Sequence, residues 1–168
     1  MNKIVELARN AIELYVKEKK KLLPDKKLLS EIKGVAGVFV SIKKDNALRG
    51  CIGTFAPTTD SIVEEIIRNA IEAATFDPRF PPVTKEELPY LKISVDILTD
   101  PVPVHSVSEL DSKRFGVIVK AQMRRGLLLP DLEGVNTPEE QIEICRRKGG
   151  IGKDEAVELF KFEVKRYK

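Results

Sequence analysis

At 168 residues the chain is long enough to bury a sizeable core as one domain, or as a domain with a small subdomain, and one cooperative unit over 1-168 is expected. Its 29 Lys and Arg against 26 Asp and Glu leave a formal net charge of +3, too slight by itself to argue for nucleic acid. Two cysteines far apart do not indicate a disulfide framework, the amino terminus lacks a signal-peptide pattern, and no apolar run approaches the roughly 20 residues that cross a bilayer, so a cytoplasmic protein with reduced thiols and no membrane contact is expected.

From Asn2 to about Lys20 the apolar residues Ile4, Val5, Leu7, Ala8, Ala11, Ile12, Leu14 and Tyr15 recur at the spacing of an amphipathic helix, which Pro24 ends. The lysines from Lys17 to Lys27 form a basic run that reads first as a solvated face. Val35 to Ile42 and Leu48 to Ile52 read as two strands joined by a turn over Lys43-Lys44-Asp45-Asn46. The second strand carries LRGCIGTF, where a cysteine, a cation and two glycines come together. Gly50 and Gly53 leave the backbone beside Cys51 free for positive φ or for the close approach of another group. Arg49 and the nearby amides would favour a thiolate or a bound anion, while the plainer alternative is a buried Cys on a bulged strand.

Thr58-Thr59-Asp60-Ser61 offers several helix caps, and Ile62 to Ala74 carries an apolar helical face. A helix so close behind the motif would bring its amino terminus, and its positive dipole end, near Cys51. Phe76 to Val83 holds three prolines, which keep Asp77, Arg79 and two phenylalanines on a rigid extended loop. Thr84 to Glu87 resembles a capping box, and Leu91 to Leu98 alternates as a half-buried strand. Pro101 to Val104 is an edge or a connection, and His105, the only histidine, has no second histidine to build a metal or Cys-His site with. Phe115 to Ala121 and Gly126 to Leu129 form a hairpin with Arg124 and Arg125 at its tip. A helix follows over Glu139 to Lys148 with Ile142 and Cys145 on its inner face, and Leu159 to Tyr167 is a closing strand.

No glycine-rich phosphate loop, dinucleotide fingerprint, His-Glu-x-x-His or paired Cys-x-x-Cys occurs, so no cofactor and no metal ligand set is expected. Helices and hairpins without repeats give an α+β fold class. Taken in order, LRGCIGTF, DPRFPPVTKEELPYLKISVDILT, RRGLLLPDLEGV and ICRRKGG resemble the AMMECR domain family, whose prokaryotic members are called AmmeMemoRadiSam system protein A. The resemblance covers roughly residues 35 to 168. It implies a mixed α/β domain with a smaller β-rich subdomain, and a site around LRGCIG between the two parts. Carried over residue by residue, it puts Cys51 in the catalytic position and Arg49, Gly50, Gly53, Thr54, Asp77, Arg79 and Phe80 in ligand-binding ones. The GLLLP and RKGG segments add Leu129, Pro130 and Lys148.

The family association also implies a Memo-like protein and a radical S-adenosylmethionine protein as partners in a common pathway. The chain itself has no Cys-x-x-x-Cys-x-x-Cys cluster motif. Three functional classes remain open: a Cys51-dependent enzyme or enzyme subunit, a non-catalytic adaptor or binding domain, and an RNA-binding or RNA-modifying component. The ligand is an unidentified small molecule or nucleic acid. Cys51, Arg49, Asp77 and Arg79 are expected to converge on one cleft, and Cys145 to be buried and inert.

Overall fold

The first helix, α1 (Lys3–Glu18), forms because its apolar residues share one face and because the Asn2 side chain caps it, accepting from the Ile4 N–H at 2.8 Å. It ends before Pro24. Beyond Val16 the lysine run has no apolar face to bury, and Lys19 takes the left-handed conformation at φ 57°. A short helix that the apolar pattern does not announce, α2 (Lys26–Glu31), follows with Asp25 as its cap. The hairpin β1 (Val38–Lys44) and β2 (Ala47–Gly53) turns on Asp45 and Asn46, both at positive φ, the two-residue geometry that matches strand twist. Then come α3 (Ile62–Thr75), capped by Ser61, a 3-10 turn over Lys85–Tyr90, and β3 (Leu91–Leu98). The remaining elements are β4 (Val102–Val104), β5 (Gly116–Ala121), β6 (Arg124–Leu128), α4 (Pro138–Gly149), β7 (Glu158–Phe162) and β8 (Val164–Tyr167).

The computed structural model describes residues 2–168 and divides into two units, the first running to Ile97 and including Lys165–Lys168, the second Leu98–Val164. In the first, the strand order is β2-β1-β3-β8. α1 and α3 bury Ile12, Ile66 and Ala70 with Val38, Val40, Ile42 and Val95 of that sheet. In the second, the order is β4-β7-β5-β6, and the core gathers Val117, Val119, Leu128 and Cys145.

Two expectations need correction. Arg124 and Arg125 are strand residues of β6, opposite Ala121 and Lys120, because the turn is only Gln122-Met123 with Gln122 at φ 54°. The stretch Leu159 to Tyr167 is two strands in two sheets, separated at Glu163, which exchanges backbone and side-chain hydrogen bonds with Thr99.

Candidate functional site

β2 is the edge of its sheet, so the backbone groups of alternate residues point away from β1. At Cys51 they are taken by the proline-rich loop. The Cys51 N–H donates to Asp77 Oδ2 at 3.0 Å, and the Cys51 carbonyl accepts from Arg79 Nη2 at 3.3 Å. Asp77 and Arg79 are themselves joined through three further bonds, from the Arg79 backbone N–H and Nε to Oδ1, both at 3.0 Å, and from Nη2 to Oδ2 at 2.8 Å. The pair therefore closes over one residue of an open strand edge, much as a further strand would. Arg79 holds the buried Asp77 carboxyl far below the usual carboxylate range, helped by the Cys51 and Arg79 backbone amides. The Arg79 guanidinium also lies 5.5 Å from the centre of the Phe80 ring.

The Cys51 side chain points to the sheet face away from α3. It stands opposite Ser41 of β1, with Sγ 3.2 Å from Ser41 Oγ, and Ser41 in turn stands opposite Ser94 of β3. The next row holds Gly53, Phe39 and Asp96, and Asp96 is bound at 2.8 Å by two nitrogens of Arg166. Burial pushes the Cys51 thiol up. The Ser41 hydrogen bond and the Arg79 charge pull the other way, Asp77 and Asp96 push with the burial, and the outcome is upward.

The neighbouring helix end is not one that favours a thiolate. An amino terminus of α3 beside Cys51 was the sequence expectation, but its carboxyl end is what lies there: a Cβ on Gly50 would stand 2.1 Å from the Ala73 carbonyl oxygen, and Asp77 follows the last turn. That end of a helix carries the negative pole, which disfavours a thiolate.

The structure thus brings Cys51, Asp77, Arg79 and Phe80 together, all within the first unit. Arg49 is placed otherwise. The β1–β2 register passes from Ile42 opposite Gly50 to Lys43 opposite Leu48, which leaves Arg49 as the extra residue of a bulge. Its guanidinium forks onto Glu87 of the 3-10 turn at 2.9 and 3.0 Å, and Lys44 joins at 3.1 Å. These bonds, led by those of Arg49, draw Glu87 down to about 2. Gly53 lies under the Phe39 ring, which a Cβ there would meet at 2.2 Å. Thr54 donates at 2.6 Å to Glu65.

Glu65 is fully buried, a residue that sequence reasoning missed. It accepts from the hydroxyls of Thr54, Thr58 and Thr59 and the amides of Thr58 and Thr59. Burial pulls its carboxyl upward, yet these bonds outweigh that and hold it below its ordinary value. The threonines beside it in the sequence were the available signal. Leu129, Pro130 and Lys148 belong to the second unit, where Lys148 Nζ donates to the Leu127 carbonyl at 2.7 Å. His105 is exposed, and its backbone N–H caps Glu109 at 2.7 Å. Cys145 is fully buried, with Sγ donating to the Val117 carbonyl at 3.5 Å, and burial raises its thiol to about 12. Among the described residues no cluster of His, Cys, Asp or Glu would hold a metal ion, and no helix is long and apolar enough to cross a membrane.

Fold and site define an α+β protein with a half-buried cysteine on a clamped strand edge. The chain belongs to the AMMECR1 family, whose model matches residues 5–168. A Thermotoga maritima protein is 52% identical over 167 residues, spanning 98% of this chain and 96% of its own. A Clostridium acetobutylicum protein is 48% identical over 167 residues, and there this chain spans only 35% of the relative's length. The crystal structure of an uncharacterized Pyrococcus horikoshii protein matches with a TM-score of 0.89 and 35% identity, over 97% of this chain and 88% of that one.

Proposed function

We propose that the chain is a binding component whose sheet face around Cys51 recognises a ligand or a partner's segment, acting in a pathway with a Memo-like protein and a radical S-adenosylmethionine protein. The observation that supports this reading is the use made of the polar groups. Asp77 and Arg79 are bound to the Cys51 backbone, and the thiol's hydrogen-bond partner is a serine hydroxyl rather than a base. A nucleophilic cysteine needs a lowered pKa or an adjacent base, and here the thiol is pushed up. A Cys51-dependent enzyme is the second reading, favoured by the Arg79 charge that acts on the thiol.

Copurification with the two partners tests the proposal. Capture should survive Cys51→Ser, which keeps a small hydrogen-bonding group, and be lost with Ser41→Trp, which fills the face. If Cys51→Ser left capture intact but abolished consumption of a small molecule by the assembly, the enzyme reading would replace it.

A further inference from the structure

The sheet face that carries Cys51 has a third row. β1 and β3 pair in unbroken register, so their outward residues stand as Asp96 beside Phe39, Ser94 beside Ser41, and Lys92 beside Lys43. In that last row two lysines stand directly opposite each other on adjacent strands, a like-charge arrangement that is destabilising. Both are exposed, and Lys92 reaches only the Asn46 side-chain oxygen, at 3.5 Å. Two carboxylates of this unit have other partners: Glu87 holds Lys44 and Arg49, and Asp96 holds Arg166.

Building on the binding-face reading, we propose that Lys43 and Lys92 hold the phosphate of a small phosphorylated ligand whose hydroxyl-bearing body lies along Ser94, Ser41 and Cys51. A bound anion turns the repulsion between the lysines into shared attraction. Phosphate rather than carboxylate follows from the donors. Ammonium groups are compact point charges with rotatable N–H bonds, suited to a tetrahedral anion. The guanidinium forks that would grip a planar carboxylate at two points are committed, Arg49 to Glu87 and Arg166 to Asp96. The adjoining row offers two hydroxyls and a neutral thiol, each able to donate and accept, which complements the hydroxyls of a polyol or sugar.

The test is a titration of the whole chain with glycerol phosphate, with inorganic phosphate and glycerol in parallel, followed by backbone amide NMR and thermal melting. Glycerol phosphate should shift the amides of Lys43, Lys92, Ser41 and Ser94, inorganic phosphate those of the lysines alone, and glycerol none. Lys92→Met should weaken glycerol phosphate binding about tenfold or more, the size of one lost hydrogen bond to a charged group. Lys92→Glu should raise the melting temperature of the free protein and erase the further rise that phosphate produces in the wild type. Unmoved lysine amides, or unchanged affinity in Lys92→Met, would overturn the assignment. Partner capture keeps the two readings apart. Capture lost with Ser41→Trp but no phosphate response sinks the ligand class alone. A phosphate response with capture indifferent to Ser41→Trp supports the ligand and sinks the partner-binding role.

Discussion

Removing the Arg79 guanidinium takes away the cation that favours the Cys51 thiolate and leaves Asp77, which disfavours it, in place. Arg79→Met should therefore move the alkylation midpoint of Cys51 by iodoacetamide further above the ordinary thiol value, measured against a Cys145→Ala background. Glu87 gives a pH dependence of the opposite kind. Its carboxyl is lowered from 4.5 to about 2, so its contribution is fully present above the unfolded value and is lost as pH falls through that window. On linkage grounds it is on the order of 3 kcal/mol at neutral pH. Glu87→Gln should reduce the slope of the stability profile between those pH values in urea titrations, the slope that remains coming from Asp77, whose contribution is lost from its ordinary value of 3.8 downward. The sequence made Cys51, Asp77 and Arg79 conspicuous by their company of glycines and prolines. That company leads to the expectation that they meet, but not to the manner of it, because the link runs through the Cys51 backbone, which carries no signature in residue type. Arg49 misled because a bulge, rather than its place in the motif, decides where its guanidinium goes.

Each unit sets a helix down on a strand glycine. A Cβ on Gly50 would meet the Ala73 carbonyl oxygen at 2.1 Å, and one on Gly126 would lie 1.8 Å from the Cys145 carbonyl oxygen. The glycines of the motif thus serve close approach, since neither Gly50 nor Gly53 is among the positive-φ residues. Gly50→Ala should push α3 off the sheet and cost about 1–3 kcal/mol, seen as a lower urea midpoint at unchanged slope. The apolar spacing of α3 was plain in the sequence. Glu65 and Asn69 were not assigned to its inner face, because a charged or amide residue there reads as exposed until its partners are known. Those partners are Thr54, Thr58 and Thr59 for Glu65, and the Val38 carbonyl for Asn69 at 2.8 Å. At β6 the turn length hides the strand: Arg124 and Arg125 resemble loop residues in sequence because a two-residue turn without glycine has no strong signal.

At the scale of the molecule, the chain leaves the first unit after Ile97 and returns to it at Lys165. Continuous alternation from Leu159 to Tyr167 hides the return, since one residue, Glu163, separates the strands and keeps the period. What the return supplies is Arg166, whose two bonds at 2.8 Å neutralise an Asp96 carboxylate that is only 4% exposed and lies 70 positions away in sequence. Taking one partner from a buried pair leaves an uncompensated charge, a loss of about 3 kcal/mol. Arg166→Met should therefore destabilise the first unit, and Asp96→Asn in the same chain should restore part of the loss by removing the stranded charge. Because each unit has its own buried cluster, the damage should be local. Native-state hydrogen exchange of Arg166→Met should show protection falling in β1, β3 and α3 while β5, β6 and α4 keep theirs. An equal fall in both sets would mean that the two cores open together, and that β8 holds the whole chain rather than one sheet.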